Sequence, residues 1–159
     1  MQVQVRQIRA NDVPLMRTML AMFGEAFEDP QAYGGAPPSD EYLRTLLARD
    51  HFIALAACEG YTLVGGIAAY VLDKFEQERS EVYIYDLAVT ETHRRRGVAT
   101  AMIRALQGIA AERGAHVIFV QADQGDDPAI AFYASLGVRA DVLHFDIEVA
   151  LEQSATNHR

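Results

Sequence analysis

Residues 81–106, EVYIYDLAVTETHRRRGVATAMIRAL, constrain the fold more than any other stretch of the chain. Glu81 to Val89 is an almost continuous apolar run rich in Val, Ile and Tyr, the pattern of a strand buried on both faces in the middle of a sheet. A single acid, Asp86, interrupts it. The period then changes: Val98, Met102, Ile103, Leu106 and Ile109 recur at three- and four-residue steps, which predicts a helix from near Gly97 to about Arg113. Between strand and helix stands Arg94-Arg95-Arg96-Gly97-Val98-Ala99-Thr100. Here a small-residue turn lets a ligand approach the backbone, and the first turn of the helix offers N–H groups that lack intrahelical acceptors. Three fixed positive charges and a turn able to form a concave nest of N–H groups make this an anion site of a size that suits a pyrophosphate. No G-x-G-x-x-G and no G-K-[ST] is present, so neither dinucleotide-fold nor Walker-type phosphate binding is indicated.

The rest of the chain sets strands and helices around this unit. Val3, Val5 and Ile8 open a strand; Asn11 or Asp12 can cap a helix that tolerates Pro14, with Leu15, Met16, Met19, Leu20, Phe23 and Phe27 as its apolar stripe. The segment EDPQAYGGAPPSD reads as a loop ahead of a second helix, Asp40 to Ala48, capped by Ser39. HFIALAACEG and YTLVGGIAAYVLDKF form an antiparallel hairpin turning at Glu59-Gly60, and Gly65-Gly66 suggests a bulge, a close backbone approach or, equally, packing against a helix. Gly114 offers a helix stop before a buried strand, His116 to Ala122, expected to lie parallel to Val82–Val89. Asp127 as N-cap, Pro128 and Gly137 delimit a short helix carrying Tyr133, and Val142, Leu143, Phe145 and Ile147 predict a last strand with His144, Asp146 and Glu148 on its other face. The fold class is therefore mixed α/β: a central, mostly antiparallel sheet with one parallel pair, flanked by helices, in one domain over residues 1–150 followed by a polar tail, 151–159.

Charge narrows the partners. Fourteen basic against 22 acidic residues give −8, which argues against nucleic acid and leans toward a cationic small molecule. No stretch approaches the apolar length of a membrane span, and the N-terminus alternates like a strand, so the expectation is a cytoplasmic protein with no membrane partner. The single Cys58 has no disulfide partner and no metal-ligand spacing, and no metal is expected. Asp86 is the candidate catalytic carboxylate: an acid in an apolar strand, at the end where a parallel pair opens, is costly to bury unless it serves a cation.

Arg94, Gly97 and Ala99, following a strand that ends Asp86-Leu87-Ala88-Val89, resemble the R-x-x-G-x-A acyl-CoA signature of the GNAT N-acetyltransferases. The resemblance implies acetyl-CoA as co-substrate, with its pyrophosphate on Arg94–Thr100. It further implies cofactor contacts from Leu87, Ala88, Val89, Asp127, Ala129 and Tyr133, and an acceptor pocket shaped by the loop that holds Glu25, Glu28, Asp29, Tyr33, Asp40 and Glu41. A wider set is similar to the aminoglycoside acetyltransferases that modify the 3-amino group, the gentamicin-resistance branch: Leu72-Asp73-Lys74-Phe75-Glu76-Gln77, Tyr83-Ile84-Tyr85-Asp86-Leu87-Ala88-Val89, Gln121-Ala122-Asp123, Gly125-Asp126-Asp127-Pro128 and His144-Phe145-Asp146-Ile147. What it implies is direct acetyl transfer to an amine with neither metal nor covalent enzyme intermediate. Asp86 acts as base, a backbone N–H near Leu87–Val89 meets the oxyanion, and Tyr133 is the proton donor to the leaving thiolate. Tyr85, Asp86, Asp126, Asp146 and Glu148 are the expected aminoglycoside contacts. A GNAT enzyme for another small amine, and a non-catalytic acyl-CoA-binding module, stay open at this point, as does a homodimer.

Overall fold

A computed structural model describes residues 2–150. The elements run β1 (Val3–Gln7), α1 (Val13–Ala26), α2 (Pro30–Gly34), α3 (Asp40–Ala48), β2 (Phe52–Glu59), β3 (Thr62–Asp73), β4 (Ser80–Val89), α4 (Val98–Glu112), β5 (Ala115–Val120) and α5 (Asp127–Ala134). Over the described residues they fall into two compact units, divided between Gln121 and Ala122.

The first unit is a five-stranded sheet in the order β1-β2-β3-β4-β5, antiparallel until β4 meets β5 in parallel. This is the expected mixed sheet, and α4 makes the crossover that a parallel pair requires. Ser80 joins the two ends of that crossover: its N–H donates to Gly114 O and its hydroxyl to Arg113 O. Helices cover both faces. At Gly66 an added Cβ would run into Met19 of α1, and at Gly65 it would lie 3.1 Å from Met102 Cε of α4. The glycine pair is thus a close helix approach on each side of one strand. The ladder irregularity lies one residue earlier, because Cys58 pairs with Leu63 and Ala57 with Gly65, which leaves Val64 as the extra residue. Met16, Met19, Phe23, Leu43, Leu47 and a floor of small residues, Ala54, Ala56, Ala68 and Ala88, form the core on the α1 side.

Several local expectations need correction. Asp12 occupies the N-cap of α1 but makes no capping hydrogen bond, since its carboxylate pairs with Arg6 instead. The presumed loop after Phe27 contains a five-residue helix, α2, capped by Asp29 through Ala32 N. Ser39 caps α3 as expected, accepting from Tyr42 N.

The second unit carries α5. Its N-cap is Asp126, whose side chain accepts from Ala129 N, and Asp127 is already helical. The period-two stretch Val142–Val149 forms no strand. A strand requires a ladder partner, and none is made among the described residues, so Leu143, Phe145 and Ile147 stay exposed. The tail predicted over 151–159 lies outside the described residues.

Candidate functional site

Directly opposed residues on neighbouring strands project to the same side of a sheet, so register tells which way each side chain of β4 points. Ile84 pairs with Ala69 but Asp86 pairs with Ala68, which makes Tyr85 an extra residue and changes the parity of everything after it. Val82 and Ile84 share the α4 side with Ala69 and Val71. Beyond the bulge, Asp86 and Ala88 share the α1 side with Ala68 and Gly66. Without the bulge Asp86 would point with Ile84 into the apolar layer under α4. With it, the carboxylate faces α1 and α2.

There Tyr33 of α2 donates a hydrogen bond of 2.8 Å to Asp86 Oδ2. Asp86 is half-buried and pairs with no Lys or Arg among the described residues. Burial raises its pKa above the ordinary aspartate value, and the Tyr33 hydroxyl works against that rise. Tyr33 is itself pushed well above the usual tyrosine range, first by burial and then by the bond and charge of Asp86, so it stays protonated and remains a donor. Oδ1 has no donor among the described residues, leaving it for a cationic hydrogen-bonding partner.

Aromatic rings flank this acid. Tyr33 contacts Phe23 and Phe27 at centroid distances of 6.1 and 5.8 Å. Tyr85, displaced outward by the bulge, is 62% exposed and meets the edges of Tyr70 and Tyr83 at 5.9 and 6.0 Å. The acids expected to line the acceptor loop are partly engaged in local structure. Asp29 caps α2, and Arg17 bonds Asp40 and holds its carboxyl below the ordinary range.

The parallel ladder to β5 ends at Ile84, whereas β4 continues to Val89. From Tyr85 onward the β5-facing edge of β4 therefore has no ladder partner in the first unit. Thr90 N points to β3, so by alternation Ala88 N does too, and this free edge holds the backbone N–H groups of Leu87 and Val89.

The chain then enters the arginine turn. Thr90 N donates to Val64 O, a 3₁₀ turn spans Glu91–His93, and Arg94 Nε donates to Val89 O. Arg95 (φ 62°) and Gly97 (φ 78°) are both left-handed, and α4 begins at Val98 with no side-chain cap. The N–H groups of Val98, Ala99 and Thr100 have no acceptor in this unit; the first intrahelical bond is Ala101 N to Gly97 O. Nothing lies within 4 Å of where a Gly97 Cβ would stand. An open nest of N–H groups, three exposed arginines and a helix N-terminus thus coincide, and their chemistry fits a diphosphate. Beside the turn is a cleft of ≈ 570 Å³ whose wall includes Glu59, His93, Arg96 and Gly97.

The other predicted site residues belong to the second unit. Tyr133 lies on α5, its pKa raised first by burial and then by the charge of Asp126. Asp126 caps that helix. Asp146 bonds His144 at 2.8 Å on exposed chain, and Glu148 is also exposed. The direct partner of Asp86 was missed as such. Tyr33 stands 53 residues away in a segment that reads as loop, and no local signal connects the two. His93 and Glu59 were missed as well, although His93 immediately precedes the arginines.

The sequence matches the family model described as acetyltransferase (GNAT) over residues 18–138. Among solved structures, the aminoglycoside acetyltransferase HMB0005 from an uncultured soil metagenomic sample is 59% identical, over 94% of this chain and 100% of that one, with a TM-score of 0.92. A second, meta-AAC0020, also from an uncultured soil metagenomic sample and in complex with sisomicin, is 31% identical over 92% and 96% of the two chains, with a TM-score of 0.86. AAC(6')-Iy, in complex with the bisubstrate analog CoA-S-monomethyl-acetylneamine, superposes with a TM-score of 0.74 over 94% and 100%, and at 16% identity that likeness is one of fold. No curated protein sequence matches.

Proposed function

Because the chain belongs to the GNAT family of acetyltransferases, we propose that it carries acetyl from acetyl-CoA to the 3-amino group of gentamicin-like aminoglycosides and so confers resistance to them. The observation that carries the reading is Asp86: a half-buried carboxylate without a cationic partner, turned out of the core by a bulge and held by Tyr33. An amine that arrives as an ammonium supplies the missing charge. The similarity to an aminoglycoside acetyltransferase at 59% identity and to a sisomicin-bound one at 31% supports the substrate class.

Acetyl-CoA binds through its diphosphate on the nest and arginines of residues 94–100, with Leu87 and Val89 offering backbone groups on the unpaired edge of β4 and Ala88 between them as a further contact. Asp127, Ala129 and Tyr133 of α5 are its further contacts. Asp86, whose raised pKa makes it a stronger base than an exposed aspartate, accepts the ammonium proton. The freed nitrogen bonds to the acetyl carbon, and as the carbon–sulfur bond breaks the nitrogen releases its second proton to solvent, from which Tyr133 is later reprotonated. A β4 N–H stabilises the oxyanion, and the thiolate takes its proton from Tyr133. Tyr85 offers a ring face to the acceptor, and Asp126, Asp146 and Glu148 are the acids for further ammonium groups.

Incubation with acetyl-CoA and gentamicin, followed by mass spectrometry and NMR of the product, tests the reading. One added acetyl on the 3-amino nitrogen is expected. No transfer to any aminoglycoside by protein that binds acetyl-CoA, or acetyl on another nitrogen, overturns it.

A further inference from the structure

The arginine turn has a side-chain tether to a distant strand. His93 Nε2 lies 2.7 Å from Glu59 Oε2 at the end of β2. His93 Nδ1 lies 2.9 Å from Thr92 Oγ1 and 3.3 Å from Thr90 Oγ1. With its proton on Nε2 the ring donates to the carboxylate, and the single lone pair of Nδ1 accepts from the nearer hydroxyl, that of Thr92. The bond to His93 holds the Glu59 carboxyl below the ordinary glutamate range, as an ionised acceptor requires. The remaining ties, Thr90 N to Val64 O and Arg94 Nε to Val89 O, reach only the ends of the neighbouring strands, and both use main-chain acceptors. Among the described residues, His93–Glu59 is the side-chain pair that fixes residues 91–97 against β2.

We propose that Glu59 is a positioning residue for acetyl-CoA: by holding His93 it sets where the left-handed Arg95–Gly97 nest presents its N–H groups. The proposal rests on the reading that this nest takes the diphosphate. Its electrostatics make the prediction unusual in sign. Glu59 shares a cleft wall with Arg96 and Gly97, so as a bare negative charge it opposes a bound diphosphate, and removing it would tighten binding. As a positioning residue its removal weakens binding, because hydrogen bonds to phosphate oxygens depend on the placement of their donors.

The test is calorimetric and kinetic titration of acetyl-CoA against Glu59→Ala, Glu59→Gln, His93→Ala, the Glu59→Ala/His93→Ala double variant and Gly97→Asp. Glu59→Ala is expected to raise the acetyl-CoA Kd and KM roughly tenfold, the scale of a lost charge-assisted bond, with kcat and the KM of the amine unchanged. Glu59→Gln keeps the acceptor oxygen without the charge and restores affinity to within about twofold, which a purely electrostatic role would not do. His93→Ala matches Glu59→Ala, and the double variant adds little. Unchanged or tighter acetyl-CoA binding by Glu59→Ala, alongside a defective Gly97→Asp, overturns the proposal. A Gly97→Asp protein of full affinity overturns instead the assignment of the nest to the diphosphate. Should Glu59→Ala fail to fold, His93→Ala decides: a roughly tenfold loss of acetyl-CoA affinity supports the tether and unchanged affinity rejects it.

Discussion

Tyr33 and Asp86, 53 residues apart, meet through a 2.8 Å hydrogen bond that joins the short helix α2 to strand β4. The donor stabilises the ionised carboxylate, while burial favours the protonated form and prevails. Replacing Tyr33 with Phe removes the opposing influence, so the Asp86 pKa rises further. Since the proposed base is the ionised form, the acidic limb of the pH profile of kcat/KM for the amine is expected to move to higher pH, with activity above the limb largely kept. A limb that stays in place, or moves down, contradicts this coupling.

Asp86→Asn removes the proposed base. Its kcat/KM for the amine is expected to fall by roughly 10²–10⁴, and the acidic limb to disappear. Tyr133→Phe acts on kcat with acetyl-CoA affinity retained. A carboxyl whose pKa is raised on folding adds stability at low pH that is lost as pH rises through the folded value, so at neutral pH the ionised Asp86 is a burden on the fold. The Asn variant should therefore melt no lower than the parent at pH 7, and a clearly lower melting temperature would assign Asp86 a structural role.

Gly97 combines a φ of 78° with open space at its Cβ position. Gly97→Asp brings strain of about 1–2 kcal/mol in the left-handed conformation and a negative charge into the anion nest. Acetyl-CoA affinity is expected to drop by about 1–3 kcal/mol in isothermal titration. Full affinity in the folded variant counts against a diphosphate at this turn.

The substrate prediction is ionic. Attraction between a polyamine-like drug and a protein of net charge −8 is screened over about 8 Å at physiological ionic strength. Added salt should raise the KM for gentamicin markedly and that for a monoamine much less, as initial rates in a salt series would reveal. Equal slopes would remove the polycation from the proposal.

Periodicity made the strand, turn and helix around Arg94–Gly97 legible, because burial on two faces and a helical stripe each leave a distinct spacing. It could not reveal the extra residue in β4, although that residue decides which side Asp86 faces: Tyr85 satisfies either parity of an apolar run. At α5 the adjacent acids Asp126 and Asp127 both read as caps before Pro128, and only backbone geometry separates them. For Leu143, Phe145 and Ile147, alternation recorded a two-faced segment without naming a ladder partner. Contacts such as Tyr33–Asp86 and Glu59–His93 are products of tertiary structure and have no sequence spacing to read.

The strand order of the first unit also bears on how it assembles. β2, β3 and β4 are joined by short connections and pair with their sequence neighbours, so this meander closes with little loss of chain entropy. β1 reaches β2 only after the chain has passed through α1, α2 and α3, the longest closure in the sheet. Tyr33 travels with that late segment, whereas Asp86 sits in the early one. The Tyr33–Asp86 contact can then open by releasing α2 while the strand that bears the acid stays paired. Native-state hydrogen exchange is expected to show residues 30–34 exchanging through small local openings and β3 and β4 only through global unfolding, with equal protection in the two segments arguing against this order.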